Sequence, residues 1–296
     1  MTIPTIQHVR SVDGVTLAVD VYRNDTDRAV VLLLHGGGQN RHAWTATARA
    51  LHRAGHSVVA YDARGHGDSD WDPAGRYAID DLALDLLHVR EQFAEDRPVV
   101  AVGASMGGMT ILVTHRIAPA ALWAGVVLVD VTPRMEIEGA RRVVGFMVAH
   151  PDGFASLDEA ADVIAAYNPH RPRPDRLDGL TKVLRQRHDR RWVWRWDPAF
   201  ITNKLDVTNA DTGDNLARFE LITDAMLDGA RRITAPALLV RGALSDIVSA
   251  DTVAEFISAV PHAETVDVSG TGHMVAGDDN DAFTTAVLDF LDRLPT

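Results

Sequence analysis

Residues 98–109 read Pro-Val-Val-Ala-Val-Gly-Ala-Ser-Met-Gly-Gly-Met. An apolar, β-branched run ends in a Gly-x-Ser-x-Gly pentapeptide centred on Ser105 and passes directly into a helix-like stretch. A serine hydroxyl is a poor nucleophile at neutral pH. Chemistry at Ser105 therefore needs a sharp strand-to-helix turn, where a base can reach the hydroxyl and the flanking backbone can approach closely. Gly103 and Gly107 remove the Cβ atoms that would clash at such a turn. Strand, turn and helix all fall where this geometry requires them.

Outward from that turn, the chain alternates short apolar runs with amphipathic helical patterns. The runs are 29–34, 57–61, 99–102, 125–131, 237–240 and 265–268, and the helical patterns include 45–54, 79–93, 109–117, 252–260 and 282–294. Apolar strands alternating with helices imply a mostly parallel central sheet covered on both faces, an α/β fold. Residues 6–22, alternating apolar and polar around Ser11-Val-Asp-Gly14, read as an antiparallel hairpin. From 133 to 235 no core strand is evident, and helices are expected at 137–149, 156–167, 175–187 and 215–229. The expected organisation is a core of 1–132 and 236–296, with 133–235 inserted as a helical cap over the carboxyl edge of the sheet, where ligands bind in open α/β folds.

Composition bounds the function. The 296 residues carry a net charge of −12, with no cysteine, which argues against nucleic acid or an anionic membrane as partner and excludes disulfides, thiolate metal sites and a cysteine nucleophile. Within 134–232 there are 16 basic and 16 acidic residues, so the acidic excess lies outside the expected cap. The opening residues lack a basic-then-apolar leader, and the apolar run 29–34 is too short to span a bilayer. A cytoplasmic protein without metal or other cofactor, acting on a small molecule, is the expectation.

A serine nucleophile needs a histidine base, a carboxylate to orient it and two N–H donors for the oxyanion. His273, in Ser269-Gly-Thr-Gly-His273 directly after the 265–268 run, is the expected base; His35 and His66 fall in other glycine-rich loops. Asp246, which follows the 237–240 run, is the expected acid. Asp130, at the end of Val127-Leu-Val-Asp130, is the alternative. The oxyanion donors are expected to be the backbone N–H of Met106, after the nucleophile, and that of Gly37 in His35-Gly-Gly-Gly38, with Gly38 in reserve.

These segments, together with Tyr61-Asp-Ala-Arg-Gly-His-Gly-Asp-Ser69 and Gly242-Ala-Leu-Ser-Asp246, resemble the α/β-hydrolase fold superfamily, in its capped, single-domain form. The resemblance implies a serine carboxylic-ester hydrolase working through an acyl-enzyme and assigns no chemistry to the 62–67 loop. Serine rather than aspartate at 105 sets the chain apart from the epoxide hydrolases and haloalkane dehalogenases of this fold. C–C bond hydrolases, cofactor-free haloperoxidases and, outside enzymes, ligand-binding receptors that keep the triad are the alternatives it leaves. The cap and elbow are also similar to bacterial monoalkyl phthalate hydrolases. With Trp192, Trp194 and Trp196 alternating in an extended segment and Arg191 and Arg195 opposite them, this implies esters bearing an aromatic or carboxylate group.

Overall fold

A computed structural model describes residues 3–94, 96–118, 121–169, 173–202, 213–273 and 281–295. Its centre is an eight-stranded sheet of order β1-β2-β4-β3-β5-β6-β9-β10. The antiparallel edge is β1 (Thr5–Arg10) and β2 (Thr16–Tyr22), and β2 also runs antiparallel to β4 (Ser57–Tyr61). The remaining strands, β3 (Val30–Leu34), β5 (Val99–Ala104), β6 (Gly125–Val129), β9 (Ala237–Gly242) and β10 (Glu264–Val268), are parallel to their neighbours. The sequence expectation of an α/β fold with a mostly parallel sheet holds.

The Val- and Leu-rich strands are buried on both faces because successive side chains enter two different cores. Val30, Leu32 and Leu34 join Ala101, Leu128 and Leu239 on one face. Val31 and Leu33 join Val102, Val127 and Val240 on the other. Helix α1 (Thr45–Arg53) and α9 (Asp281–Asp292) close the second core through Leu51, Val287 and Phe290. On the first face lie α2 (Ile79–Phe93), α3 (Met106–Ile117) and α8 (Ala250–Ala259), contributing Leu86, Ile111 and Phe256. Each such side chain, fully buried, contributes about 1.5–3 kcal/mol of transfer free energy, and the β5–α3 junction is built on these buried cores. Among the described residues, no helix is long and apolar enough to cross a membrane.

Between β6 and β9 the structure departs from the sequence reading in two places. The expected helix at 175–187 is instead a 3₁₀ turn at Asp178–Lys182 followed by β7 (Leu184–Gln186), which pairs antiparallel with β8 (Trp192–Trp194). Leu177, Leu180 and Leu184 have helical spacing, but Leu184 is drawn into a strand whose apolar side packs against Phe154. The second departure concerns α7 (Gly213–Ala230), which the expected organisation places in the insertion. Met226 and Ala230 belong to the first sheet core, and Gly229 lies so close to α3 that a Cβ would stand 1.9 Å from the Leu112 carbonyl oxygen. The other elements between β6 and β9 are α4 (Ile137–Val148), α5 (Leu157–Tyr167), the β7–β8 hairpin and α6 (Ala199–Thr202).

Candidate active site

Ser105 occupies the turn between β5 and α3 with φ +46° and ψ −114°, a region that non-glycine residues seldom enter and that the surrounding packing must hold. Two close approaches hold it. A Cβ on Gly103 would stand 2.4 Å from the Gly107 carbonyl carbon, and one on Gly107 would stand 2.4 Å from the Leu34 carbonyl oxygen. The register pairs Ala104 of β5 with Val129 of β6, so the next residues along, Ser105 and Asp130, leave adjacent strands at the same height. The Ser105 N–H donates to the Val129 carbonyl at 3.0 Å, and that of Asp130 to Val240 at 2.8 Å. Asp130 also has a positive φ, +50°, a conformation aspartate tolerates better than most residues.

His273 arrives from the loop after β10, which is anchored by the Leu244 N–H donating to the Thr271 carbonyl at 2.9 Å. Its Nδ1 lies 2.8 Å from Asp130 Oδ2 and its Nε2 3.2 Å from Ser105 Oγ. An ionised carboxylate only accepts, so Nδ1 carries the proton and Nε2 is the acceptor for the serine hydroxyl. The Asp130 carboxylate takes two further hydrogen bonds, from the Gly242 N–H at 2.9 Å and the Ser245 hydroxyl at 2.7 Å. Its side chain is 1% exposed and that of His273 8%. Three donors compensate the burial of the Asp130 charge, and the chain Asp130–His273–Ser105 is continuous.

Asp246 does not take the place expected of it. Among the described residues its carboxylate makes no hydrogen bond to His273 and is gripped by Arg142 of α4, with Nη2 to Oδ1 at 2.8 Å; the Arg142 guanidinium also lies 4.6 Å from the centre of the Tyr167 ring. The hydrogen bond from Arg142 holds the Asp246 carboxyl below the usual carboxylate range. The physical reason is reach. Asp130 directly follows its strand, as Ser105 does, whereas Asp246 lies four residues beyond β9, on a loop that α4 draws outward through the Glu136 N–H to Ile247 carbonyl bond at 2.9 Å.

The glycine loop after β3 faces the turn from the other side, and a Cβ on Gly36 would meet Ser105 Cβ at 3.5 Å. The Gly36 N–H donates to Gln39 Oε1 at 3.0 Å and the Gly38 N–H to His66 Nε2 at 3.2 Å. Gly38, the reserve donor of the sequence reading, is therefore engaged, and the Gly37 amide is the one of the three not drawn into the loop's own bonding. The Met106 N–H opens α3, where no preceding turn can accept it. Beneath the loop, His35 Nε2 accepts from the Ala63 N–H at 3.0 Å and Nδ1 donates to the Gly36 carbonyl at 2.8 Å. Burial pushes the His35 pKa down to about 4, so it is a neutral brace.

The 62–67 loop, to which the resemblance assigns no chemistry, is held in a buried ionic network. Asp62 is fully buried and bonded to Arg41, which also binds Asp20 at 2.9 Å and Asp68 at 2.9 Å. This network fixes the segment that carries His66, and through His66 it fixes Gly38.

Three apolar side chains close over the glycine loop: Met147 and Phe200, which the sequence did not single out, and Trp196 of the tryptophan trio. A Cβ on Gly37 would lie 3.8 Å from Phe200 Cε1 and 3.9 Å from Met147 Sδ. A Cβ on Gly38 would lie 3.3 Å from Met147 Cε and 3.6 Å from Trp196 Nε1. Of the tryptophan trio, Trp192 packs within the inserted segment against Phe154 and Leu184, Trp196 is a buried member of the cluster of Met106, Met147 and Phe200, and Trp194 packs against both groups. Arg191 and Arg195 are consumed locally, Arg191 by the Asp152 and Gly153 carbonyls and Arg195 by Asp68 at 3.0 Å and the Leu184 carbonyl at 3.2 Å.

Residues 29–279 match the family model described as the alpha/beta hydrolase fold. Esterase Rv0045c of Mycobacterium tuberculosis is 31% identical over 268 residues, 88% of this chain and 82% of that protein. The mouse protein phosphatase methylesterase 1 is 31% identical over 147 residues, 48% of this chain and 38% of that one. Among solved structures, an alpha/beta hydrolase from Novosphingobium aromaticivorans superposes with a TM-score of 0.77 at 26% identity, covering 99% of both chains.

Proposed function

The chain belongs to the alpha/beta hydrolase fold family, and from that premise we propose that it hydrolyses carboxylic esters through an acyl-enzyme on Ser105. The observation that carries this reading is His273, within hydrogen-bond reach of Ser105 Oγ on one ring nitrogen and of Asp130 on the other. In the acylation step Ser105 Oγ attacks the ester carbonyl while His273 Nε2 takes its proton. The imidazolium formed is stabilised by Asp130, and the Gly37 and Met106 N–H groups receive the oxyanion. Collapse of the tetrahedral intermediate expels the alcohol, which collects the proton from His273. Water then attacks the acyl group by the same route in reverse.

Asp130 replaces Asp246 as the acid in this reading. The elements rising between β6 and α7 act as a cap, with Met147 and Phe200 forming an apolar ceiling over the acyl side of the site. That ceiling favours small to medium apolar acyl groups. Arg191 and Arg195, on which a preference for carboxylate-bearing aromatic esters would rest, are already engaged, Arg191 by the Gly153 carbonyl of the cap and Arg195 by Asp68 of the core and the Leu184 carbonyl, so the reading kept is an uncharged ester. Support for esterase chemistry comes from the Mycobacterium esterase that the chain resembles over most of its length.

The test is turnover of 4-nitrophenyl acetate and butyrate by wild type and Ser105→Ala, with mass spectrometry after treatment with a fluorophosphonate. Multiple turnover in the wild type, its loss in the variant and a single adduct on Ser105 are expected. Unchanged turnover in Ser105→Ala would overturn the proposed nucleophile.

A further inference from the structure

Trp196 is an anomaly in the ceiling. It is 6% exposed, and its backbone is tied to the 65–67 loop by an antiparallel bridge to His66, with the Gly67 N–H donating to the Arg195 carbonyl and the Asp197 N–H to the Gly65 carbonyl, both at 2.7 Å. Its place is therefore fixed by the segment that also fixes Gly38. A buried indole N–H ordinarily finds an acceptor. Among the described residues, no hydrogen bond uses Trp196 Nε1. Nor is the atom sealed off, unlike Trp194 Nε1, which is buried, unpartnered and enclosed by Phe146 and Phe154. Trp196 Nε1 thus keeps its donor accessible at the edge of the glycine loop, 3.6 Å from where a Cβ on Gly38 would stand, beside Met147 and Phe200.

Resting on the acyl-enzyme reading of the site, we propose that Trp196 Nε1–H is a substrate-recognition donor for an uncharged oxygen acceptor, a ketone, amide or second ester carbonyl, carried on the acyl group. Gly37 and Gly38 are adjacent in sequence, with Cα atoms about 3.8 Å apart. The donor beside Gly38 therefore stands one residue along the loop from an oxyanion held by Gly37. An acyl chain whose second carbonyl stands on its fourth carbon probes that position. The surrounding Met147 and Phe200 supply no competing acceptor, so an acyl chain without such an oxygen leaves the N–H unsatisfied, and this penalty makes a single donor selective. Trp196 touches substrate in this role but takes no part in the proton transfers.

The test compares 4-nitrophenyl 4-oxopentanoate with 4-nitrophenyl 4-methylpentanoate, which has a methyl in place of the carbonyl oxygen. Trp196→Phe, and 3-benzothienylalanine at 196, which keeps the shape and lacks the N–H, are measured beside the wild type. The ratio of kcat/KM for the oxo ester to that for the methyl ester is expected to fall about three- to tenfold in both variants, with the methyl ester little affected in the benzothienyl protein. Equal losses on both esters, or no change in the ratio, would overturn the proposal. Calorimetry on Ser105→Ala with 4-oxopentanamide and 4-methylpentanamide decides the matter independently of turnover. Tighter binding of the oxo amide, lost in Ser105→Ala/Trp196→Phe, sustains the donor role even if no ester is hydrolysed, and equal binding of the two amides overturns it. Failure of the wild type to hydrolyse any ester would instead overturn the acyl-enzyme reading.

Discussion

His115 lies on α3, the helix headed by the Ser105 turn, and is 1% exposed with neither ring nitrogen bonded. Burial pushes its pKa down to about 4 from 6.5. The unfolded chain therefore takes up a proton at this residue as pH falls through 6.5, while the folded protein does not until about pH 4. Between those values the unfolded state binds more protons, so stability falls as pH falls. For two states with these pKa values the loss at pH 5 relative to pH 8 is about 2 kcal/mol from this residue alone. His115→Leu removes the titration and an unsatisfied polar ring, exchanging it for an apolar side chain of similar volume. Urea unfolding of wild type and variant at pH 8, 7, 6 and 5 is the assay. The stability difference, variant minus wild type, is expected to be within about 1 kcal/mol of zero at pH 8 and to grow in the variant's favour by about 2 kcal/mol at pH 5. His35, which is depressed similarly, is present in both proteins and cancels. Parallel stability curves across this range would refute the reasoning, because they would mean that the ring is protonated in the folded state as readily as in the unfolded chain.

Gly103→Ala places a methyl 2.4 Å from the Gly107 carbonyl carbon; the expected result is a loss of about 3 kcal/mol or more in urea unfolding together with most of the esterase activity. An unaltered midpoint would mean that β5 and α3 approach less closely than described. Met147→Ala opens space over Gly37, and the ratio of kcat/KM for octanoyl to acetyl nitrophenyl esters is expected to rise about tenfold; a falling ratio would place the acyl chain elsewhere.

Ser105 and His273 are legible in the sequence because the local pattern constrains them: a β-branched run, a glycine-framed serine and a glycine loop after the last strand. The acid is not. Asp130 and Asp246 both follow apolar runs, and only the side-chain direction decides between them. That direction depends on Arg142, 104 residues away from Asp246 in sequence, a contact that no local pattern reveals. One signal was available, since Asp130 abuts its strand as Ser105 does and Asp246 does not. For the same reason α7 reads as part of the insertion. An apolar helical stripe is visible in the sequence, but whether it faces a cap or the sheet is a tertiary fact. The spacing of Leu177, Leu180 and Leu184 suggests a helix until the pairing of Leu184 with Trp194 shows the last of them to be a strand residue.

The identity of the acid separates this account from its nearest competitor, and the kcat/KM of Asp130→Asn and Asp246→Asn on 4-nitrophenyl butyrate at pH 7.5 measures it. Asp130→Asn keeps the shape but lacks the charge that orients and stabilises the His273 imidazolium, so a fall of about 10³–10⁴-fold is predicted. Asp246→Asn breaks a half-exposed ion pair with Arg142 and is predicted to cost less than about tenfold. A severe loss in Asp246→Asn beside a mild one in Asp130→Asn would contradict the assignment of Asp130 to the triad.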